Sequence, residues 1–455
     1  MGKINVAIMG TGNMASVMAR TLRKVRGVRL YAVASRTLNK AADFAKQYGF
    51  KKAYGSYEEL VQDDRVGLVY IATPHSEHYS NAKLCIEKGR AVLVEKAFTA
   101  NAKQAKELIA LAEEKHVFLT EAIWVRYMPF VRKMKDVLDS GIIGKPVMLT
   151  ANLGYDVHTS ARMREPELAG GSLLDLGIYP ISFASMMFGD DVLKISAACS
   201  YTDRHVDEQD TCTFVYRDGK VASLSATMLG LSDRQGVITG TRGYMVVQNI
   251  NNFEALTVYD NTYKRVAYYK RPRQKTGYEY EIQACVKALK EGRTECEEMP
   301  HSETVRILQM MDYIRAQLGI VYPFEEPEDI GLTEAVRETG AIEEKQAETA
   351  AAGEQDASAA DGQKPMQIEE ATTEADSLEM IPSDRTLAGS VVVPFEEIGG
   401  ELHEEGAVNP ENPRTAGMSG AEALEETGES APAGAPDTPD AARTEAEPET
   451  PAGQD

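Results

Sequence analysis

INVAIMGTGNMA, residues 4–15, is an apolar run that breaks at a glycine turn and opens into a helical pattern. Gly10, Gly12 and Ala15 fill the spacing G-x-G-x-x-G/A, and Asn13 and Met14 begin the helix. Each small residue has a physical reason. Gly10 allows a tight turn, Gly12 lets backbone approach a pyrophosphate, and Ala15 lets helix and strand pack closely. The helix N-terminus favours the anion. By itself the spacing can be only a tight structural turn. Here it follows the first strand and starts a βαβ unit, which is the context that marks a dinucleotide-binding loop.

The pattern continues outward from that loop. VRLYAVAS, VGLVYIAT, AVLVEK and VFLT read as further strands buried on both faces, with helices expected near 13–25, 38–48, 76–88 and 101–115. Such alternation predicts an α/β fold, a doubly wound parallel sheet of Rossmann type over residues 1–120. After residue 121 the pattern changes. Helices are expected around 127–139 and after Gly171, then antiparallel neighbouring strands of one open sheet between 193 and 270, then helices near 278–291 and 301–318. Residues 121–327 therefore read as an α+β domain with an open, mostly antiparallel sheet. Residues 328–455, rich in Glu, Ala, Gly, Thr and Pro, read as a disordered acidic tail, because they lack the apolar surface to offset chain entropy.

Charge divides the same way. The net charge of −21 hides a body, residues 1–325, with 43 basic and 37 acidic side chains, and a remainder with 6 basic and 33 acidic. The overall acidity thus says little about what the body binds. The five cysteines show no CxxC spacing and fit free thiols in a reducing compartment. No signal peptide and no apolar run near the roughly 20 residues of a membrane span is evident, so a soluble, cytoplasmic protein is expected, with neither nucleic acid nor membrane as partner.

Four further stretches carry chemistry. The second strand ends in Ser35–Arg36, without the acid that would hold the ribose 2′-hydroxyl of NAD. Arg36 could instead pair with a 2′-phosphate through its planar fork, so NADP(H) is favoured over NAD(H); the alternative is a solvated loop arginine. His75 and His78, three apart in TPHSEH, invite a zinc reading, but no third and fourth ligand stand out, so no metal is expected and the loop should line the nicotinamide side of a site. Glu95–Lys96 ends a buried strand, where charge is costly unless paired or used. Asp175 and Tyr179 are four apart and share a helical face, either as a helix-start acid and a core-edge tyrosine or as a functional pair.

Taken together, ATPHSEH with Thr73, Pro74 and His78, EKAFT with Glu95 and Lys96, and GGSLLDLGIYP with Asp175 and Tyr179 resemble the signatures of the Gfo/Idh/MocA-type oxidoreductases over about residues 3–325. EAIWVRYMP and AGGSLLDLGIYP are most similar to the branch of dimeric dihydrodiol and NADP-dependent xylose dehydrogenases. The resemblance implies a substrate cleft between the domains and a subunit contact, as dimer or tetramer, through the far face of the second sheet. It implies cofactor contacts at Thr73, His78, Glu95, Lys96 and Arg162. One departure is Ala97 where the family usually has proline, so the pose of Lys96 must come from packing.

The expected activity is hydride transfer between NADP(H) and a carbinol carbon of a sugar, polyol or cyclic dihydrodiol. Tyr179 would move the proton, beside Lys96 and an oxidised nicotinamide that ease its ionisation, and Asp175 would orient the pair. Two other readings share the scaffold. One is a non-catalytic NADP-binding regulator, which would not need Lys96 and Tyr179; the other is glycosidic cleavage through transient oxidation.

Overall fold

The computed structural model describes residues 2–332. The acidic tail expected beyond 328 lies almost wholly outside the described residues. Six strands, β1 (Ile4–Met9), β2 (Val28–Ala34), β3 (Lys52–Tyr54), β4 (Leu68–Ile71), β5 (Val92–Glu95) and β6 (Leu119–Ala122), form a parallel sheet in the order β3-β2-β1-β4-β5-β6. This is the doubly wound dinucleotide-binding topology. The central strands lack polar–apolar alternation because both faces are covered: Val6 to Met9 and Leu68 to Ile71 are completely buried. The helices are α1 (Asn13–Leu22), α2 (Leu38–Tyr48), α3 (Tyr57–Val61), α4 (His78–Glu87) and α5 (Ala102–Glu114). Asn101 caps α5 by accepting from the Gln104 N–H at 2.9 Å. Neither β3 nor α3 was expected from sequence, since both are too short to show a period.

A second, eight-stranded sheet follows. Its strands are β7 (Pro146–Gly154), β8 (Val192–Tyr201), β9 (Asp207–Tyr216), β10 (Val221–Thr227), β11 (Gly236–Gly240), β12 (Gly243–Gln248), β13 (Ala255–Asp260) and β14 (Arg265–Lys270), in the order β14-β13-β12-β11-β7-β10-β9-β8. The sheet was expected to begin at 193; it begins at Pro146. β7 lies in its middle, parallel to β10 and antiparallel to β11, so the consecutive strands β10 and β11 are not neighbours. The remaining helices are α6 (Phe130–Asp139), α7 (Ala161–Arg164), α8 (Ile178–Phe188), α9 (Glu279–Glu291) and α10 (His301–Leu318). α8 is buried on nearly every side, and the stretch Pro166–Phe188 is long and apolar enough to pass for a membrane span, contrary to the expectation that no such run exists. Its most apolar part is almost wholly buried, a core element beside the second sheet.

α10 knits the body together. The completely buried Arg315 pairs with Glu325 at 2.7 Å and Asp312 at 3.1 Å, and donates to the Ala100 carbonyl at 2.9 Å. Glu325 also accepts from Asn101, and Asp312 from the Ala102 N–H, so the start of α5 is tied to the C-terminal helices. The described body continues past residue 327: Ile330 and Leu332 are buried against Ala316 and Val321.

Candidate active site

The carboxyl ends of the parallel strands form one edge of the first sheet, the edge where open α/β sheets take ligands. After β1 the chain turns at Gly10 with φ +100°, and a Cβ there would lie 2.5 Å from the Ala72 carbonyl oxygen. A Cβ at Gly12, by contrast, would meet no protein atom within 4 Å. Protein packing therefore does not explain this glycine, whereas close approach of a pyrophosphate does. No side chain caps α1, which leaves its first N–H groups for an anion, and Asn13 is exposed with Met14 half-buried beside it. Ala15 is completely buried against the sheet. The loop thus fits a dinucleotide. At the end of β2, Ser35 is buried and Arg36 is exposed, with no ion-pair partner among the described residues.

Lys96 leaves β5 at the same edge. Its Nζ lies 2.9 Å from Asp175 Oδ1 and 2.5 Å from the Asp175 carbonyl oxygen. Arg162 Nη2 donates to the other carboxylate oxygen at 3.0 Å, and His75 Nε2 lies 3.8 Å from Oδ1. Asp175 sits in a π-helical turn, Leu173–Gly177, that runs into α8; such turns widen a helix locally and recur at functional sites. One turn on, the Tyr179 hydroxyl accepts from the Trp124 indole N–H at 3.1 Å, and Lys96 Nζ lies 5.1 Å from the Tyr179 ring centroid. Residues that follow β5 and β6 thus meet the start of α8, distant in sequence, in one cluster.

The charges set the protonation states. Burial pushes Asp175 up, but Lys96 and Arg162 outweigh it and hold the carboxyl well below the usual range, so it is ionised. Tyr179 is pushed well above the usual phenol range, first by burial, then by Tyr278 and Glu95, against the Trp124 hydrogen bond. The Lys96 ammonium, paired with Asp175, lies over the ring. Burial lowers His75 to about 3, so it is neutral, with Nδ1 donating to the Ala169 carbonyl at 3.1 Å.

Two expected cofactor contacts turn inward. His78 is completely buried, its ring nitrogens 2.8 Å from the Ala97 carbonyl and 2.9 Å from the Thr73 carbonyl. It joins the loops after β4 and β5 and thereby helps to place Lys96, the packing role that Ala97 leaves open. The Glu95 side chain is buried and accepts from the Tyr70 hydroxyl. Thr73 stays at the edge, its hydroxyl accepting from Asn81 at 3.1 Å. Trp124 and Tyr278, which stack at 4.1 Å, were not among the residues expected at the site, and His75 was not expected beside Asp175. Only the stretch EAIWVRYMP held a hint, since a lone tryptophan directly after a strand end has few structural reasons to be there.

Residues 4–123 match the model of the oxidoreductase family with an NAD-binding Rossmann fold, GFO_IDH_MocA, and residues 131–246 match the GFO/IDH/MocA C-terminal domain. The chain belongs to the Gfo/Idh/MocA oxidoreductases. It is 32% identical over 304 residues to trans-1,2-dihydrobenzene-1,2-diol dehydrogenase of Mus musculus, covering 65% of this chain and 90% of that one. The Xenopus laevis enzyme of that name is 31% identical over 328 residues, covering 70% and 98%. Among solved structures, the fold matches a 3-ketoreductase from Actinomadura kijaniata in complex with NADP and TDP-benzene, with TM-score 0.65, 24% identity, and coverage of 69% of this chain and 97% of that one. It also matches an aldose-aldose oxidoreductase from Caulobacter crescentus, with TM-score 0.63, 20% identity, and coverage of 69% and 96%.

Proposed function

We propose that the protein is an NADP(H)-dependent oxidoreductase that passes hydride between the nicotinamide and a carbinol carbon of a sugar, polyol or cyclic dihydrodiol. The observation that carries this reading is the cluster of Lys96, Asp175 and Tyr179 at the ligand-binding edge, beside a glycine loop that fits a dinucleotide. When bound, the nicotinamide supplies or accepts the hydride. The chain's own residues handle the proton. Tyr179, held neutral by burial, donates its hydroxyl proton to the substrate oxygen during carbonyl reduction and is left as the phenolate; in alcohol oxidation that phenolate form accepts the alcohol proton. Lys96 fixes the ring from above and leaves a cation beside the developing oxyanion. Asp175 anchors Lys96 and Arg162, and Trp124 aims the phenol. Gly10, Gly12, Asn13, Met14 and Ala15 hold the pyrophosphate, with Thr73 and Arg162 around the nicotinamide half. Arg36, following Ser35, takes the 2′-phosphate.

The division into a nucleotide segment, 1–120, and a substrate segment, 121–327, belongs to this reading, as do a cytoplasmic location and a homo-oligomer through the outer face of the second sheet. The experiment is a cofactor-by-substrate panel followed by nicotinamide absorbance. NADPH should bind more tightly than NADH, and Arg36→Ala should remove most of that difference, about 1–3 kcal/mol for a charge-assisted contact. Equal affinity for both cofactors in the unaltered protein contradicts the cofactor assignment.

A further inference from the structure

The rim beyond Trp124 holds a second cluster that the proton chemistry does not use. Tyr155, following β7, accepts at its hydroxyl from Arg234 Nη1 at 3.2 Å and from Asn251 Nδ2 at 2.9 Å. A phenol oxygen has two acceptor positions and one proton. The two contacts tie the Tyr155 hydroxyl to the Arg234 guanidinium and the Asn251 side-chain amide. The other side-chain N–H groups of Arg234 have no acceptor among the described residues, and Arg234 has no ion-pair partner there. Asp233, the neighbour of Arg234, accepts from Asn152 at 2.7 Å, and Glu254, which follows the asparagines, accepts from Asn249 at 2.8 Å.

The backbone holds Arg234 in place. Its φ is +57°, a left-handed conformation uncommon for a long side chain. Its N–H is bonded to Asn152 and Ser232, and its carbonyl accepts from the Ile250 N–H at 2.8 Å. Strain of this kind persists where surrounding structure over-determines it, often at ligand clamps. The cluster is continuous with the candidate active site. Trp124, bonded to Tyr179, packs against Gly277 beside Gln274; Gln274 and Arg271 both donate to Asn252, next to Asn251. Arg271 likewise has no ion-pair partner among the described residues. The cluster therefore holds two guanidinium groups without ion-pair partners among the described residues, linked through Asn251, Asn252 and the Gln274–Gly277 stretch to the stacked pair Trp124 and Tyr278.

We propose that Arg234, supported by Tyr155 and Arg271, binds an anionic substituent, a carboxylate or a phosphate, of the cyclic substrate at a position away from the reacting carbon. This rests on the oxidoreductase reading above and narrows its substrate class to acidic or phosphorylated cyclic polyols. A planar guanidinium fork suits either oxyanion, and Tyr155 holds that fork in place from one side.

Trp124 is the chain's single tryptophan, so its fluorescence reports on this site. The protein saturated with NADP⁺ is titrated with D-galacturonate, D-glucose 6-phosphate and neutral D-glucose. At least one of the two anions should bind about tenfold or more tightly than glucose. The difference should shrink between low and high salt, and it should be lost in Arg234→Ala and reduced in Arg271→Ala, with NADP⁺ affinity retained as the check on folding. Preference for the acid or for the phosphate identifies the anion. No tighter binding of either anion than of glucose, or a preference that survives both substitutions and high salt, overturns the proposal. Failure to bind NADP⁺ at all would instead bring down the parent reading, so the two failures are distinguishable.

Discussion

Glu95 and Lys96 are neighbours in sequence and face opposite environments. The strand's alternation turns Glu95 into the interior, where burial pushes its carboxyl up to about 7 against the Tyr70 hydrogen bond and the Lys96 charge. Lys96 turns to the cleft edge and meets Asp175. A carboxyl raised in the folded state binds more protons than in the unfolded chain between its ordinary pKa, about 4.3, and about 7. Its contribution to stability is therefore greatest below that window and falls as pH rises through it. Glu95→Gln removes this titration. Its melting temperature relative to the unaltered protein should accordingly rise between about pH 5 and about pH 8, measured by calorimetry at both. His75 and His78, both lowered by burial, titrate in the opposite sense, and taking the difference between the two proteins removes their effect. A difference that stays constant or falls with pH would show that Glu95 is ionised throughout.

At the scale of elements, α10 carries the largest of the fully buried side chains among the described residues, the charged Arg315. Replacing Arg315 by methionine leaves Asp312 and Glu325 buried without their cation, and such losses cost about 3–5 kcal/mol. Urea unfolding should register a drop of that size; a loss under about 1 kcal/mol would mean the network contributes little. Elements with a strong signal could be read from sequence. Residues 4–15 gave away the parallel sheet because glycine spacing, burial on both faces and helix start agree. α5, α9 and α10 lay where their apolar periods put them. β7 could not be read that way. Its meaning lies in pairing parallel to β10 across about seventy residues, a long-range choice that local pattern does not encode. The site shows the same limit. Lys96, Asp175 and Tyr179 stood out as charged or polar groups beside apolar runs, whereas Tyr278 carried no local signal and Trp124 only that of its motif. His78 and Glu95 have the right residue types in the right motifs, and only the fold reveals that their side chains turn inward.

Across the whole molecule, the two sheets do different work. The first presents its carboxyl edge to the dinucleotide; the second delivers Asp175 and Tyr179 on the turn and helix packed against its inner face. On the proposed function their chemistry converges on one proton. The direct measurement is the pH dependence of NADPH-linked carbonyl reduction in the unaltered protein and in Tyr179→Phe. Because the phenol is held well above its ordinary range, kcat/KM should stay level through neutral pH and fall only in the alkaline range, as Tyr179 loses its proton. Tyr179→Phe should lower kcat by about 10²–10⁴, abolish that alkaline limb and leave NADPH affinity unchanged, because Gly10 to Ala15 are untouched. Near-normal turnover in Tyr179→Phe with the same alkaline limb would contradict the account and move the proton transfer to another group of the cluster.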